Sequence, residues 1–306
     1  MEEILLCIDD SSDEGIRIDK FLASQIPEKS RSHFQKLIED GFVLVNGKVV
    51  KSKYQTRIGD EIIINEQPNV EVSIEAENIP ISILYEDNDI IVVDKPKGMV
   101  VHPAPGHYSG TLVNALMYLC KDSLSGINGE IRPGIVHRID MNTTGSLLVC
   151  KNDTAHKSIA KQIKDHTVNR IYKGIVIGNI KEDEGTINLP IGRNPKDRKK
   201  MAVVENGKNA ITHYKVLEQF KGYTFCEFKL ETGRTHQIRV HMSNAGHALL
   251  GDDIYSSNKN NFKLTGQTLH AQTIGFIHPT TNEYVEISAP LPEYFEKLLD
   301  KLRKMS

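Results

Sequence analysis

GIVHRIDMNTTGSLLV, residues 134–149, carries an apolar run into His137, Arg138 and Asp140, turns through Asn142, Thr143, Thr144 and Gly145, and returns to an apolar run. Short apolar runs bounded by turn residues read as strands. The stretch therefore predicts two strands, GIVHRID and GSLLVCKN, with a carboxylate at a rigid strand end. Downstream, Asp153 is expected to cap a helix whose Ala155, Ile159, Ala160 and Ile163 share one face, and RIYKGIVIG (170–178) follows as a strand. YTFCEFKLET (223–232) reads as another strand, HQIRVHMSNAG (236–246) as a helix closed by Gly246, and LPEYFEKLLDKLRK (291–304) as a terminal helix. Upstream, DIIVVDKP (89–96) is a strand stopped by proline and TLVNALMYLC (111–120) is helical. Strands come singly and in succession without regular alternation with helices. That pattern predicts an α+β fold around a central mixed or mostly antiparallel sheet, not a doubly wound parallel one.

Before this body lies a smaller α+β unit. In RIDKFLASQI (17–26) the apolar positions Ile18, Phe21, Leu22 and Ile26 recur at helical spacing, and SRSHFQKLIEDG (30–41) opens on a capping serine and ends at glycine. FVLVNGKVV (42–50) alternates around Asn46-Gly47, a strong short-range hairpin signal, and RIGDEIII (57–64) adds a turn and a strand. NEQPNVEVSIEAENIP (65–80) is acidic, has a proline near each end and shows no period, so it is expected to be a linker. The expected organisation is an acidic extension over 1–15, the small unit over 16–64, the linker over 65–80 and a large unit over 81–306.

The chain has 306 residues, 39% hydrophobic and 25% charged, a globular composition. No run reaches the ~18 apolar residues of a membrane helix, and MEEILLCIDDSS lacks a basic signal region, so a cytoplasmic protein is expected. Cys7, Cys120, Cys150 and Cys226 are scattered without C-x-x-C pairing and are expected to be buried reduced thiols. The net charge of −2 hides a segregation: six acids and no base over 1–15, nine bases against five acids over 16–60, and eight acids without a base over 61–89. Everything from residue 90 onward is therefore net basic, and two basic bodies flanking an acidic stretch suit a polyanion such as RNA.

Phosphate-loop, dinucleotide, zinc-protease and serine-elbow signatures are missing, and the acidic EDND (86–89) lacks calcium-loop spacing, so no metal or cofactor is expected. Two polar crowds remain. One is His137, Arg138, Asp140 and Thr144; the other follows Gly233 with Arg234, Thr235, His236, Gln237, Arg239 and His241. An acid from one strand end and a guanidinium from the other crowd would face each other in a cleft. RNPKDRKK (193–200), with Arg193, Arg198 and Lys199, reads as a mobile basic loop able to close over phosphates.

These residues carry a family resemblance. HRIDMNTTG (137–145), ETGRTHQIRVH (231–241), DKPKGMVVHP (94–103), LHAQTIGFIHP (269–279) and GDDIY (251–255) resemble, in order and spacing, the motifs of the RluA/RluD-type pseudouridine synthases over about residues 81–295. The departures, isoleucine at 139 and glycine at 174, touch no reacting group. The small unit is similar to the S-four-type RNA-binding module: Arg17, Asp19 and Leu22 match R-x-D-x-x-L, followed by Ser30-Arg31, Val43 to Gly47, and Gly59-Asp60. The resemblance implies isomerisation of uridine to pseudouridine in large-subunit ribosomal RNA or its precursor, with no cofactor and with the chain acting as a monomer. It implies Asp140 as the catalytic carboxylate, Arg234 as its guanidinium partner and Tyr172 against the flipped base. Arg138, His137, Thr144, Lys95 and His236 would hold substrate, with Lys97 and His102 as further phosphate or turn contacts. Arg17, Lys20, Arg31 and Lys36 would grip RNA in the small unit. The rival reading is a non-catalytic RNA-binding or ribosome-assembly factor on the same fold; a glycoside hydrolase lacks its second carboxylate.

Overall fold

The computed structural model describes residues 2–27, 29–66, 74–103, 107–121, 123–127, 133–198, 200–256 and 261–305. They fall into two compact units, one ending at residue 66 and one beginning at residue 74.

In the first unit, β1 (Glu2–Cys7), α1 (Ile18–Gln25), α2 (Arg31–Glu39), β2 (Val43–Val45), β3 (Lys48–Val49) and β4 (Glu61–Glu66) form a four-stranded sheet, order β1-β4-β2-β3, under two helices. Ser30 caps α2 by accepting the His33 N–H. Asn46 and Gly47 both take positive φ, +50° and +70°, as the two-residue hairpin between β2 and β3 requires. Phe21, Leu22, Phe34 and Ile38 from the helices close on Val43, Val45, Ile62 and Ile64. Two expected boundaries change. Residues 2–7 are no extension: they pair antiparallel with β4 from Glu2↔Glu66 to Cys7↔Glu61 and complete the sheet. The acidic linker is shorter than expected, because Asn65 and Glu66 belong to β4, and Ile74 is buried in the second unit's core.

The second unit runs β5 (Ser82–Glu86), β6 (Ile90–Lys95), α3 (Leu112–Cys120), β7 (Thr144–Cys150), α4 (Asp153–Lys164), β8 (Asn169–Ile177), β9 (Glu184–Asn188), β10 (Ile191–Arg193), β11 (Met201–Val203), β12 (Ile211–Phe220), β13 (Tyr223–Leu230), α5 (Gln237–Asn244), β14 (Leu269–Ile277), β15 (Tyr284–Ser288) and α6 (Glu293–Arg303). Nine strands make one mixed sheet, order β5-β6-β7-β14-β8-β13-β12-β9, with β15 also on β14. Alternation along the strands sorts the core: Ile91, Val93, Leu147 and Val149 face α3 and α5, while Ile90, Val92, Leu148 and Cys150 face α4. The same alternation puts Leu269 and Ala271 of β14 in the first layer and Ile274 and Phe276 in the second.

The sheet is two halves joined narrowly. β7 meets β14 in parallel through two residue pairs, His270↔Thr144 and Ala271↔Gly145. The approach is close enough that a Cβ on Gly145 would stand 2.2 Å from the Ala271 carbonyl oxygen, and its φ of +105° suits glycine alone. On the other side of β14, Ala271 pairs with Tyr172 of β8. Gly145, Ala271 and Tyr172 thus stand in a row across three strands, and Asp140 lies on the turn that feeds the first of them.

GIVHRID does not form the expected strand. It touches β7 through a single bridge, Ile135↔Val149. Farther along, the His137 imidazole accepts the Leu148 N–H at 2.9 Å, taking the place of a strand carbonyl. Asn152, not Asp153, caps α4, and Asp153 is its first residue. Three cysteines are buried and Cys7 is exposed on β1; all four are free thiols. Among the described residues no helix is long and apolar enough to cross a membrane.

Candidate active site

Asp140 accepts a hydrogen bond from Nη1 of Arg239 at 3.0 Å. Arg239 is held from behind by Asp252, whose two oxygens receive Nε at 2.7 Å and Nη2 at 3.0 Å. Asp252 in turn accepts the N–H groups of Ile254 and Tyr255 at 3.0 Å each. Burial opposes the Arg239 charge, but the hydrogen bonds and charges of Asp252 and Asp140 outweigh it and push its pKa up. Burial likewise opposes the Asp252 charge, and Arg239 with the two backbone donors holds that carboxyl below its usual range. The arrangement is a buried carboxylate fixing a guanidinium that presents one corner to a half-buried carboxylate.

The expected partner, Arg234, is elsewhere. It precedes α5 on the turn and donates Nε to the Asn209 carbonyl at 2.9 Å. The turn is locked by the buried Gln237, whose Oε1 accepts the Thr232 hydroxyl and the Arg234 N–H while Nε2 donates to the Ile211 carbonyl and the Thr212 hydroxyl. His236 takes a left-handed φ of +58° just ahead of the helix. Helical geometry then turns Arg239 inward. The sequence held no local signal for this: on the expected helix Arg239 shares a face with His236 and Ser243, which reads as ordinary polar surface.

Asp140, Arg138 and His236 line two hollows, one of about 560 Å³ with Tyr172, Arg170 and Arg234 and one of about 280 Å³ with His102, Asn142 and Gln267. In the larger, Asp140 is the one acid among the lining residues, against Arg138, Lys164, Arg170 and Arg234. Tyr172 is 8% exposed, and its hydroxyl makes no hydrogen bond among the described residues. Burial pushes its pKa up, with Arg170 pulling it down and Asp140 pushing it further up. The Tyr255 hydroxyl accepts the Met201 N–H and lies 2.7 Å from Nδ1 of His236. With its oxygen already accepting the Met201 N–H, the tyrosine hydroxyl is assigned as the donor to Nδ1, and that tautomer carries the His236 proton on Nε2, 3.7 Å from Asp140. Burial lowers the His236 pKa, consistent with a neutral ring.

Several expected substrate contacts serve the scaffold instead. Lys95 is 0% exposed and donates to the carbonyls of Pro96, Met99 and Met141 at 2.7, 2.8 and 3.0 Å, bracing the turn after Asp140. Burial pulls its pKa down to about 7, with Asp140 and Asp94 acting the other way. Thr144 is buried and spends its hydroxyl on Nδ1 of His270 at 2.8 Å. His137 lines the cleft, yet its Nε2 is used on β7, and burial, helped by the charge of Arg170, lowers its pKa to about 3. Lys97 turns inward over the Tyr294 ring, 4.3 Å from its centre. Nη1 of Arg138, an exposed residue, lies 3.4 Å from Nε2 of His102. Residues 193–198 of the basic stretch lead out of β10 toward β11: the Asn194 side chain accepts the Lys196 and Asp197 N–H groups, and Arg193 donates to the Arg198 carbonyl. Lys199 lies outside the described residues. One group with metal-ligand types, Asp87, Asp89 and His278, is knotted by its own bonds: Nδ1 of His278 faces the Thr280 and Thr281 N–H groups, and Nε2 donates to Asp87.

In the first unit Asp19 is 0% exposed and gathers Arg17, Arg31 and Gln35 at 2.6 to 3.0 Å. Burial raises its pKa, but the hydrogen bonds from Arg17, Gln35 and Arg31 and the charge of Arg31 outweigh it and hold it at about 2. Both guanidinium groups keep side-chain exposures of 42% and 43%, and Lys20 and Lys36 are exposed. Lys51 and Lys53 line two further shallow grooves of about 600 and 580 Å³.

Residues 89–244 match the family model of RNA pseudouridylate synthases, and residues 16–62 match that of the S4 domain. The chain belongs to the RNA pseudouridine synthases. An uncharacterized RNA pseudouridine synthase of Bacillus subtilis, YlyB, is 53% identical over 288 residues, 94% of each chain. The ribosomal large subunit pseudouridine synthase D of Zymomonas mobilis is 42% identical, again over 94% of each, and that of Pseudomonas aeruginosa is 42% identical over 95% of this chain and 93% of its own. Among solved structures, human RNA pseudouridylate synthase domain containing 1 superposes with a TM-score of 0.58 at 26% identity, covering 78% of this chain and 98% of its own. Pseudouridine synthases are isomerases, and the mixed α+β architecture is theirs.

Proposed function

We propose that this pseudouridine synthase acts on uridines of large-subunit ribosomal RNA in the cytoplasm, with Asp140 as its catalytic carboxylate. The observation that carries the assignment is the Asp140–Arg239–Asp252 chain: it presents a single carboxylate, oriented by a buried guanidinium, in a cleft whose other charged lining residues, Arg138, Lys164, Arg170 and Arg234, are all cations. Breaking the bond between ribose C1′ and uracil N1 needs one carboxylate acting on sugar or base, and no redox or phosphoryl group.

The target uridine must leave its stack at a cost of a few kcal/mol. Stacking on Tyr172 returns ~1–3 kcal/mol, and its hydroxyl would take the C5 proton while passing its own proton on to N1 of the ring or to solvent. Exposed Arg138 fills the vacated space or holds the neighbouring nucleotide. Arg234, Arg193 and Arg198 meet phosphates around the cleft, and in the first unit the outer faces of Arg17 and Arg31, with Lys20 and Lys36, meet others. The ribosomal assignment rests on the likeness to the two large-subunit synthases D. Mapping pseudouridines in ribosomal RNA from cells with and without this protein tests it: loss of specific large-subunit sites is expected, and an unchanged large-subunit map with losses in transfer RNA would reject it.

A further inference from the structure

Arg170 lies on β8 two residues before Tyr172, so the two side chains leave the same face of the strand. It is 6% exposed, and burial pulls its pKa below the ordinary guanidinium value. A guanidinium has five N–H donors. Among the described residues one bond is made, from Nη2 to the Glu231 carbonyl at 3.0 Å, while the buried Nε has no partner and no carboxylate pairs with the group. Gly233 keeps room for it, since a Cβ there would stand 2.5 Å from Nη1. The side chain still lines the cleft beside Tyr172 and Asp140. A buried cation held without a counter-charge destabilises the resting protein, so its value lies in a charge that arrives during the reaction.

We propose that Arg170 is a catalytic cation that receives the negative charge of the uracil ring while the ring is detached from its ribose. The inference rests on reading this cleft as the site of uridine isomerisation. When the C1′–N1 bond breaks, its electron pair stays with the ring, which becomes an anion delocalised over N1, O2 and O4. After rotation C5 supplies the pair that forms the new C1′–C5 bond, the C5 proton departs to a base, and N1 takes up a proton. Charge develops on the ring between these two events, next to the aromatic face that holds it. Phosphates are a poorer match: they are fixed charges that stay near solvent, and exposed Arg138 and Lys164 and half-buried Arg234 are the more accessible cations lining the same cleft. Preorganised charge aimed at developing charge is the usual source of large catalytic effects.

The test uses the full-length protein and carbon-5-tritiated transcripts of ribosomal and transfer RNA. Tritium release by the wild type establishes the isomerase reading independently and selects the transcript used afterwards. Arg170→Met is expected to lower the single-turnover rate at saturating RNA by ~100-fold, with RNA affinity within threefold, and Arg170→Lys to keep most of the rate. A weaker affinity with an unchanged saturated rate would assign Arg170 to phosphate and overturn the proposal. A purely structural role is separated by 5-fluorouridine in the same transcript. Its ring is a better leaving anion, so consumption of the fluorinated nucleoside, read by mass spectrometry, should suffer less from Arg170→Met or Arg170→Lys than consumption of uridine does. Equal losses on both substrates would overturn the proposal as well.

Discussion

Replacing Arg239 separates the architecture around Asp140 from its chemistry. Arg239→Met keeps the apolar stem and removes two hydrogen bonds to Asp252 and one to Asp140. The Asp252 side chain is 0% exposed, so the variant leaves an unpaired buried carboxylate. Removing one partner of a buried pair costs about 3–5 kcal/mol, which for a unit of this size lowers Tm by roughly 6 to 20 °C. Adding Asp252→Asn removes the stranded charge while its side-chain oxygen still accepts the Ile254 and Tyr255 N–H groups, so most of the lost stability should return. Turnover should not return, because Asp140 still lacks its guanidinium. Thermal unfolding and tritium release, measured on the wild type, both single variants and the double variant, give the full cycle. A double variant that regains activity together with stability would refute the reasoning, since Arg239 would then matter only as filler for a buried charge.

Tyr172→Phe keeps the stacking face and loses the hydroxyl; a proton-transfer role predicts a rate loss of ~100-fold or more with RNA affinity unchanged, and a loss below tenfold assigns the tyrosine to stacking alone. Arg234→Ala should weaken RNA binding and flatten its salt dependence by roughly one phosphate's slope, while the rate at saturating RNA stays within about threefold. Asp19 has a folded pKa of about 2 against ~3.9 in the unfolded chain. Its stabilisation of the first unit is therefore complete above pH ~4 and lost as the pH falls towards 2. Hydrogen exchange in α1 and α2 from pH 5 to 2 should show that acid loosening in the wild type and a smaller pH dependence in Asp19→Asn.

Local signals made most of the fold legible. Ser30, Asn46-Gly47 and the helical spacing of Phe21 and Leu22 act within a few residues, and each forms the element expected of it. What failed depended on distant partners. β1 is short and lies in an acidic stretch, and it is a strand through its antiparallel pairing with β4. GIVHRID has strand composition, but β7 already pairs with β6 and β14, and a histidine side chain takes the donor that a strand would have used. At the site, the motifs bring Asp140 and Tyr172 to one cleft, and both line it. The arginine could not be placed, because Arg234 and Arg239 are five residues apart and the choice between them hangs on where α5 begins and on Asp252 from another loop. Lys95 and Thr144 were misread for the same reason: a polar residue beside a cleft looks like a ligand contact until its internal acceptors are known.

Asp140→Asn addresses the central claim most directly, because it preserves the volume of the side chain and removes only its charge and basicity. The variant and the wild type are compared for tritium release from carbon-5-labelled RNA in a single turnover at saturating enzyme, with RNA binding measured in parallel. The expected result is no detectable release from a variant that binds the RNA with nearly unchanged affinity. Release at a substantial fraction of the wild-type rate would contradict the assignment of Asp140 as the catalytic carboxylate.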